Sequence, residues 1–266
     1  MDVPGFALIT GAASGIGKAC ALAFAAEGSA GITLLDLNES ALATVKSEIE
    51  ALAKPCQILT YAVNVTHEAD VTRAVTSAAQ IFGRLDYIVN AAGIAIKHAG
   101  GAAFATTSDW NRVLDINLNG TFYVLRAAAK IMLDQTPLLS SIDSRPLQRG
   151  SIINFSSIQG VAGITLSTAY TTAKHAVIGL TRTASEDYAA RGLRVNAICP
   201  GYTETPMTMG NPDVLRAMQE RVAGAVPMGR MGMPREIADG VLFLAGGRSS
   251  FVTGSCLMVD GGYTSR

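Results

Sequence analysis

The chain is poor in charge, in aromatic rings and in cysteine. Charged residues fill 16% of its 266 positions, and 21 basic side chains balance 21 acidic ones. With no net charge there is no long-range field to draw nucleic acid or an anionic membrane, so a small, neutral ligand is the better starting point. The cysteines, Cys20, Cys56, Cys199 and Cys256, stand far apart, with no CxxC pair and no histidine at ligand spacing. That pattern argues against a disulfide framework and against a structural metal. The N-terminus has no basic segment ahead of an apolar run, and no stretch reaches ~18 consecutive apolar residues. The expectation is a soluble, cytoplasmic protein without a membrane partner.

What is abundant is glycine, 27 residues, and short aliphatic runs. The runs cover 6–10, 31–36, 57–65, 85–90, 151–156, 193–199 and 256–260. Several are nearly continuous in apolar residues, as strands covered on both faces require. Helical segments lie between them, at 16–27, 38–54, 67–82, 108–133, 168–190, 212–223 and 234–245. Strict alternation of strand and helix implies parallel strands with right-handed crossovers, hence an α/β, doubly wound sheet of about seven strands in one domain. Residues 134–150, with two prolines and several serines, interrupt the pattern. They read as a mobile surface insertion or, alternatively, as a lid or partner-contact loop.

Thr10-Gly11-Ala12-Ala13-Ser14-Gly15-Ile16-Gly17 stands where the first strand gives way to a helix. Glycines there allow a tight turn and close approach of a pyrophosphate to the free amides of the helix N-terminus. Asp36 follows Gly17 by 19 residues, at the end of the second strand. Its carboxylate suits the hydroxyls of an adenosine ribose and repels a 2′-phosphate, favouring NAD over NADP. The plain alternative for Asp36 is a turn residue ahead of a helix. Tyr170 and Lys174 are spaced i, i+4 and so share a helix face. A cation beside a phenol favours the phenolate and lowers its pKa toward the range of a proton-transfer catalyst. Alone, such a pair is usually a solvated surface contact. Here Ser156 and Ser157 end the fifth strand thirteen residues before Tyr170, at the sheet edge where ligands bind.

With these motifs in this order, the chain resembles the short-chain dehydrogenase/reductase family in its short NAD(P)-dependent form, over nearly its whole length. The shared marks are TGAASGIG, Asn90-Ala91-Ala92-Gly93, Asn117, Ser157, YTTAK, Pro200-Gly201 and VDGG. The resemblance implies a Rossmann fold and assigns Asn117, Ser157, Tyr170 and Lys174 to catalysis. It adds Gly11, Ser14, Gly15, Ile16, Gly17, Asp36, Asn64, Val65, Asn90, Ala91, Gly93, Pro200, Gly201, Thr203 and Thr205, with Tyr170 and Lys174, to the cofactor site. In this assignment Asn117 links Lys174 to solvent through its backbone carbonyl and a water; a helix kink or cap is the alternative. Two departures are visible. Asn64-Val65 replaces the family's Asp-Val pair, and Asn90-Ala91-Ala92-Gly93 replaces Asn-Asn-Ala-Gly.

The implied activity is NAD-dependent interconversion of a secondary alcohol and a ketone on a mainly apolar small molecule, a terpenoid, steroid, polyketide or aromatic metabolite. Alternatives are an NADPH-dependent ketoreductase, which would want a basic residue at Ser14 or Leu37, and a non-catalytic NAD-binding scaffold. Residues 203–228 resemble the family's variable substrate lid, with Met207 and Met209 suited to an apolar pocket and Met218 reading as helix packing. His98 is expected to face substrate. Apolar faces on the helices at 111–133 and 168–190, with the resemblance, imply a homotetramer with a second interface near Cys256–Tyr263.

Overall fold

The computed structural model describes residues 2–140, 143–210 and 212–265. Seven parallel strands form one sheet: β1 (Phe6–Thr10), β2 (Gly31–Asp36), β3 (Gln57–Ala62), β4 (Tyr87–Asn90), β7 (Gly150–Phe155), β8 (Leu193–Pro200) and β9 (Cys256–Val259), in the order β3-β2-β1-β4-β7-β8-β9. The remaining pair, β5 (Leu138–Leu139) and β6 (Pro146–Gln148), is a small antiparallel hairpin. Helices α1 (Gly15–Ala26), α2 (Glu39–Glu50) and α9 (Pro234–Ala245) pack on one face around Phe24, Leu34 and Val241. On the other, α3 (Glu68–Phe82), α5 (Thr121–Met132) and α6 (Thr168–Tyr188) enclose Leu8, Ile88, Val124 and Val195. The central strands β4, β7 and β8 are buried at every position, which is why their sequences do not alternate. The doubly wound Rossmann architecture is therefore as the sequence led us to expect.

Three local differences have physical causes. β3 stops at Ala62 rather than continuing to residue 65, because the Asn64 side-chain oxygen turns back to accept from Thr66 N and Thr66 Oγ1 and forces a turn. The expected helix at 108–133 is α4 (Thr107–Leu114) and α5 joined through a π-helical turn, Asp115–Gly120, that carries Asn117. Between β8 and α9 lie a four-residue helix α7 (Pro206–Met209) and the longer α8 (Pro212–Ala225).

The insertion is anchored, not loose, at both ends. Gln135 exchanges hydrogen bonds with Leu85 N and O, both at 2.7 Å, and donates to Arg149 O. Gln148 is buried, donating to Ala245 O and accepting from Arg194 Nε at 2.7 Å. Because the segment leads into the amino end of β7, it lies at the edge of the sheet opposite the carboxyl ends. The lid alternative for it falls on that topology. Residues 141 and 142, within the expected insertion, lie outside the described residues.

Candidate active site

The chain reverses its direction of winding between β1 and β4, so loops from both halves of the sheet diverge at the carboxyl edge and leave a crevice there. A cavity of about 600 Å³ fills that crevice. Its wall takes residues from the ends of β1 (Gly11), β2 (Leu35, Asp36), β3 (Val63, Asn64, Val65), β4 (Ala91, Gly93), β7 (Ser156, Ser157) and β8 (Pro200, Gly201), together with the α1 N-terminus (Ser14, Gly15, Ile16, Gly17). Tyr170, Lys174, Thr203 and Thr205 complete it. Of the sequence-assigned site residues, only Asn90 and Asn117 do not line the cavity.

The glycine turn is shaped by close approach. Gly11 and Gly15 have φ of 66° and 53°, the left-handed region, and a Cβ at Gly17 would collide with the Gly11 carbonyl oxygen. Ser14, the N-cap of α1, makes no side-chain capping bond, which leaves the first helical amides directed at the crevice. At the far end the Asp36 carboxylate accepts from Ala13 N and Asn38 N, both at 3.1 Å. It thus braces the glycine turn while still lining the cavity. With Asn64 Oδ1 used in its own turn, that side chain offers the cavity its amide donor.

At the other end, α6 lies across the end of β7. Ser156 Oγ donates to Lys174 O at 2.9 Å, and a Cβ on Gly160 would collide with Ser156 Oγ, so the small residue lets helix and turn close together. Lys174 is only 4% exposed and its Nζ donates to Phe155 O at 2.7 Å. Burial pulls its pKa down to about 8. Its Nζ also stands 5.4 Å from the centre of the Tyr170 ring. The sequence expectation of a lowered Tyr170 pKa is corrected here. Burial pushes the phenol up, the Ser157 hydroxyl opposes that, and the ammonium lies by the ring.

Asn117 and Asn90 act from behind the wall. The Asn117 amide accepts from Ile94 N and donates to Ile94 O, both at 2.8 Å, while its backbone carbonyl accepts from Thr121 Oγ1. Asn117 Oδ1 and Lys174 Nζ lie 3.0 and 3.7 Å from the point where a Gly93 Cβ would sit, so the π turn does bring Asn117 beside Lys174. Asn90, by contrast, donates to Asn154 Oδ1 at 2.9 Å within the sheet. Its side chain is buried on the face covered by α6, where Asn154 in turn donates to Thr181 Oγ1.

Other expectations shift as well. His98 is buried and off the cavity wall; its backbone holds the loop by accepting from Gly101 N and donating to Leu166 O. Its neighbour Lys97 lines the cavity instead, as do Ile94, Ile158, Gln159, Tyr202 and Thr208, none of which has a motif of its own. Met218 lines it too, contrary to the helix-packing reading, whereas Met209 does not. Thr10, at the head of the glycine motif, accepts through Oγ1 from Ala92 N at 3.0 Å and ties the β1 and β4 loops together.

A family model described as enoyl-(acyl carrier protein) reductase matches residues 11–264. The chain is 40% identical over 268 residues to short-chain dehydrogenase fogB of Aspergillus ruber, covering 99% of this chain and 98% of that protein. It is 36% identical over 260 residues to cyclohexanol dehydrogenase of Acinetobacter sp., covering 98% and 95%. Among solved structures, levodione reductase superposes with a TM-score of 0.89 at 33% identity, covering 100% of this chain and 99% of that one. From fold, crevice and these likenesses together, the chain belongs to the short-chain dehydrogenase/reductase family of nicotinamide-dependent oxidoreductases.

Proposed function

We propose that the protein interconverts a secondary alcohol and its ketone on a mainly apolar small molecule, with NAD as cofactor. One observation carries this reading: Ser157, Tyr170 and Lys174 converge at one end of a cavity whose other end holds Asp36. The donor set fits a dinucleotide. Turn amides and the α1 N-terminus suit the diphosphate, Asp36 suits the ribose hydroxyls, and Asn64 and Val65 flank the place for adenine. The small residues Ala91 and Gly93 permit close approach, and Pro200, Gly201, Thr203 and Thr205 border the nicotinamide end. Asn90 supports this site through strand packing rather than contact. The rival cofactor NADP lacks a cation near its 2′-phosphate: Ser14 and Leu37 are neutral, and the nearby Lys18 is paired with Glu48 at 2.7 Å.

Bound NAD supplies the hydride acceptor or, when reduced, the donor. Tyr170 takes the alcohol proton during oxidation and returns it during reduction. Ser157 Oγ holds the substrate oxygen and stabilises charge developing on it. Lys174 contributes a buried positive charge beside the phenol and a donor for the cofactor's ribose, and Asn117 fixes the loop above it while its backbone carbonyl holds a water that links Lys174 to solvent. Met207, Thr208 and Met218, from the stretch assigned to the substrate lid, line the cavity where an apolar substrate would lie. A terpenoid, steroid, polyketide or aromatic alcohol suits such a wall. Four free cysteines fit a reducing cytoplasm, and no helix among the described residues is long and apolar enough to cross a membrane. We take the working form to be a homotetramer.

The decisive test is Tyr170→Phe, assayed with a panel of secondary alcohols and with NAD binding measured separately. Turnover should fall by at least ~10²- to 10⁴-fold while NAD binding persists, since only the proton-transfer hydroxyl is lost. Near-normal turnover would refute the mechanism and favour a cofactor-binding scaffold.

A further inference from the structure

The cavity wall carries three charged residues, Asp36, Lys97 and Lys174. Asp36 belongs to the adenosine end and Lys174 is buried on Phe155 O. Lys97 is different: its side chain is exposed and engages no carboxylate among the described residues. Its backbone is nonetheless held in place. Three residues before it, Ile94 is clamped by the Asn117 amide, and immediately after it His98 N donates to Leu166 O at 2.8 Å. Leu166 itself has φ of 66°, an unusual conformation for a non-glycine residue.

A second cation, outside the cavity wall, lies on the segment that this loop contacts. Arg221 on α8 donates through Nη2 to Thr165 Oγ1 at 3.0 Å, the residue next to Leu166. The loop that carries Lys97 and the helix that carries Arg221 thus both meet residues 165–166. No acidic residue occurs in 91–101 or 156–168. Among the described acidic side chains near Arg221 in sequence, Glu220 is its immediate neighbour and so projects from a different helix face, and Glu204 lies near Arg230. Ile94, Ile158, Met207 and Met218 make the adjoining wall apolar, which strengthens an ion pair formed at its rim.

We infer that Lys97, backed by Arg221, makes the site selective for substrates that carry a carboxylate remote from the reacting carbon, that is, hydroxy or oxo acids with an apolar body. This inference rests on the alcohol dehydrogenase reading and refines its substrate class. The apolar wall receives the hydrocarbon, Ser157 and Tyr170 take the reacting oxygen, and the rim cations take the distal anion.

The test uses any neutral secondary alcohol that the enzyme oxidises, with octanoate and methyl octanoate as competing inhibitors. At low ionic strength octanoate should inhibit roughly five- to tenfold more strongly than the ester, and added salt should weaken the acid alone. In Lys97→Ala the ratio of inhibition constants should collapse toward unity, in Lys97→Glu it should invert, and Arg221→Ala should lower it partially. Equal inhibition by acid and ester in the parent enzyme, or an unchanged ratio in the Lys97 variants, overturns the inference while leaving Tyr170-dependent alcohol oxidation intact. Absence of that oxidation altogether would instead sink the underlying reading.

Discussion

Burial shifts two ionisable residues of the cavity wall in opposite directions. Lys174, pulled down to about 8 by burial, loses its positive charge above that pH, whereas Tyr170, pushed up by burial, stays protonated through neutrality. Ketone reduction needs the protonated phenol and the charged lysine. Its kcat/KM should therefore be flat at neutral pH and fall as pH rises through about 8, and Lys174→Arg should remove that inflection because a guanidinium does not titrate there. A pH profile of kcat/KM for reduction checks both statements. Asp36 sets a different property. Asp36→Ala should narrow the ratio of kcat/KM with NAD to that with NADP by ~10-fold or more without abolishing chemistry, as ribose hydroxyls lose their acceptor and a 2′-phosphate loses its repulsion. A parent enzyme with higher kcat/KM for NADP would contradict the assignment.

Between elements, the most concentrated polar joint lies far from the cavity. Arg194 on β8 is buried and satisfied without any carboxylate, donating to Gln148 Oε1 at 2.7 Å, Leu244 O at 2.7 Å, Ala245 O at 3.1 Å and Val252 O at 3.1 Å. Burial lowers its pKa to about 10, yet it remains a cation at neutral pH. It caps the carbonyl end of α9, where a positive charge is favoured, and ties that end to β6. Arg194→Met should destabilise the fold by about 3 kcal/mol, because the stem still fills its volume while several buried carbonyls and Gln148 lose their donor. Urea unfolding followed by circular dichroism reads this directly, and a loss below about 0.5 kcal/mol would show that water replaces the guanidinium. The hairpin β5–β6 owes its place to this joint, so the variant should also raise proteolytic cleavage there.

At the scale of the molecule, apolar surface remains after the core is closed. Phe122 on α5 is part exposed with Arg126 stacked over it at 4.8 Å, and Arg126 also pairs with Glu68. Phe251, Leu139 and Met233 are exposed elsewhere. Burial of such faces between copies would account for side chains that the sheet does not consume. Light scattering at micromolar concentration should give a tetramer, and Phe122→Glu should shift it toward smaller species by placing a carboxylate in an apolar contact. A monomeric parent would count against the assembly.

The fold and most of the cavity wall were legible in the residues because both rest on local chemistry. Continuous aliphatic runs specify covered strands, glycine specifies a left-handed turn at Gly11 and Gly15, and i, i+4 spacing sets Tyr170 and Lys174 on one face whatever packs around them. Other properties depended on chain segments distant in sequence. Thr10 meets Ala92 and Met218 joins the cavity wall only when separate segments come together at the carboxyl edge, and Asn90 bonds within the sheet because Asn154 stands opposite it on β7. The insertion shows the same division: its prolines and serines announced an irregular segment, but Gln135, Gln148 and Arg149 anchor it through partners up to 97 residues away. The Tyr170 pKa went the other way for a related reason. Spacing could bring a cation near the phenol, but desolvation is a property of everything that surrounds it, and in the folded chain desolvation is the larger effect.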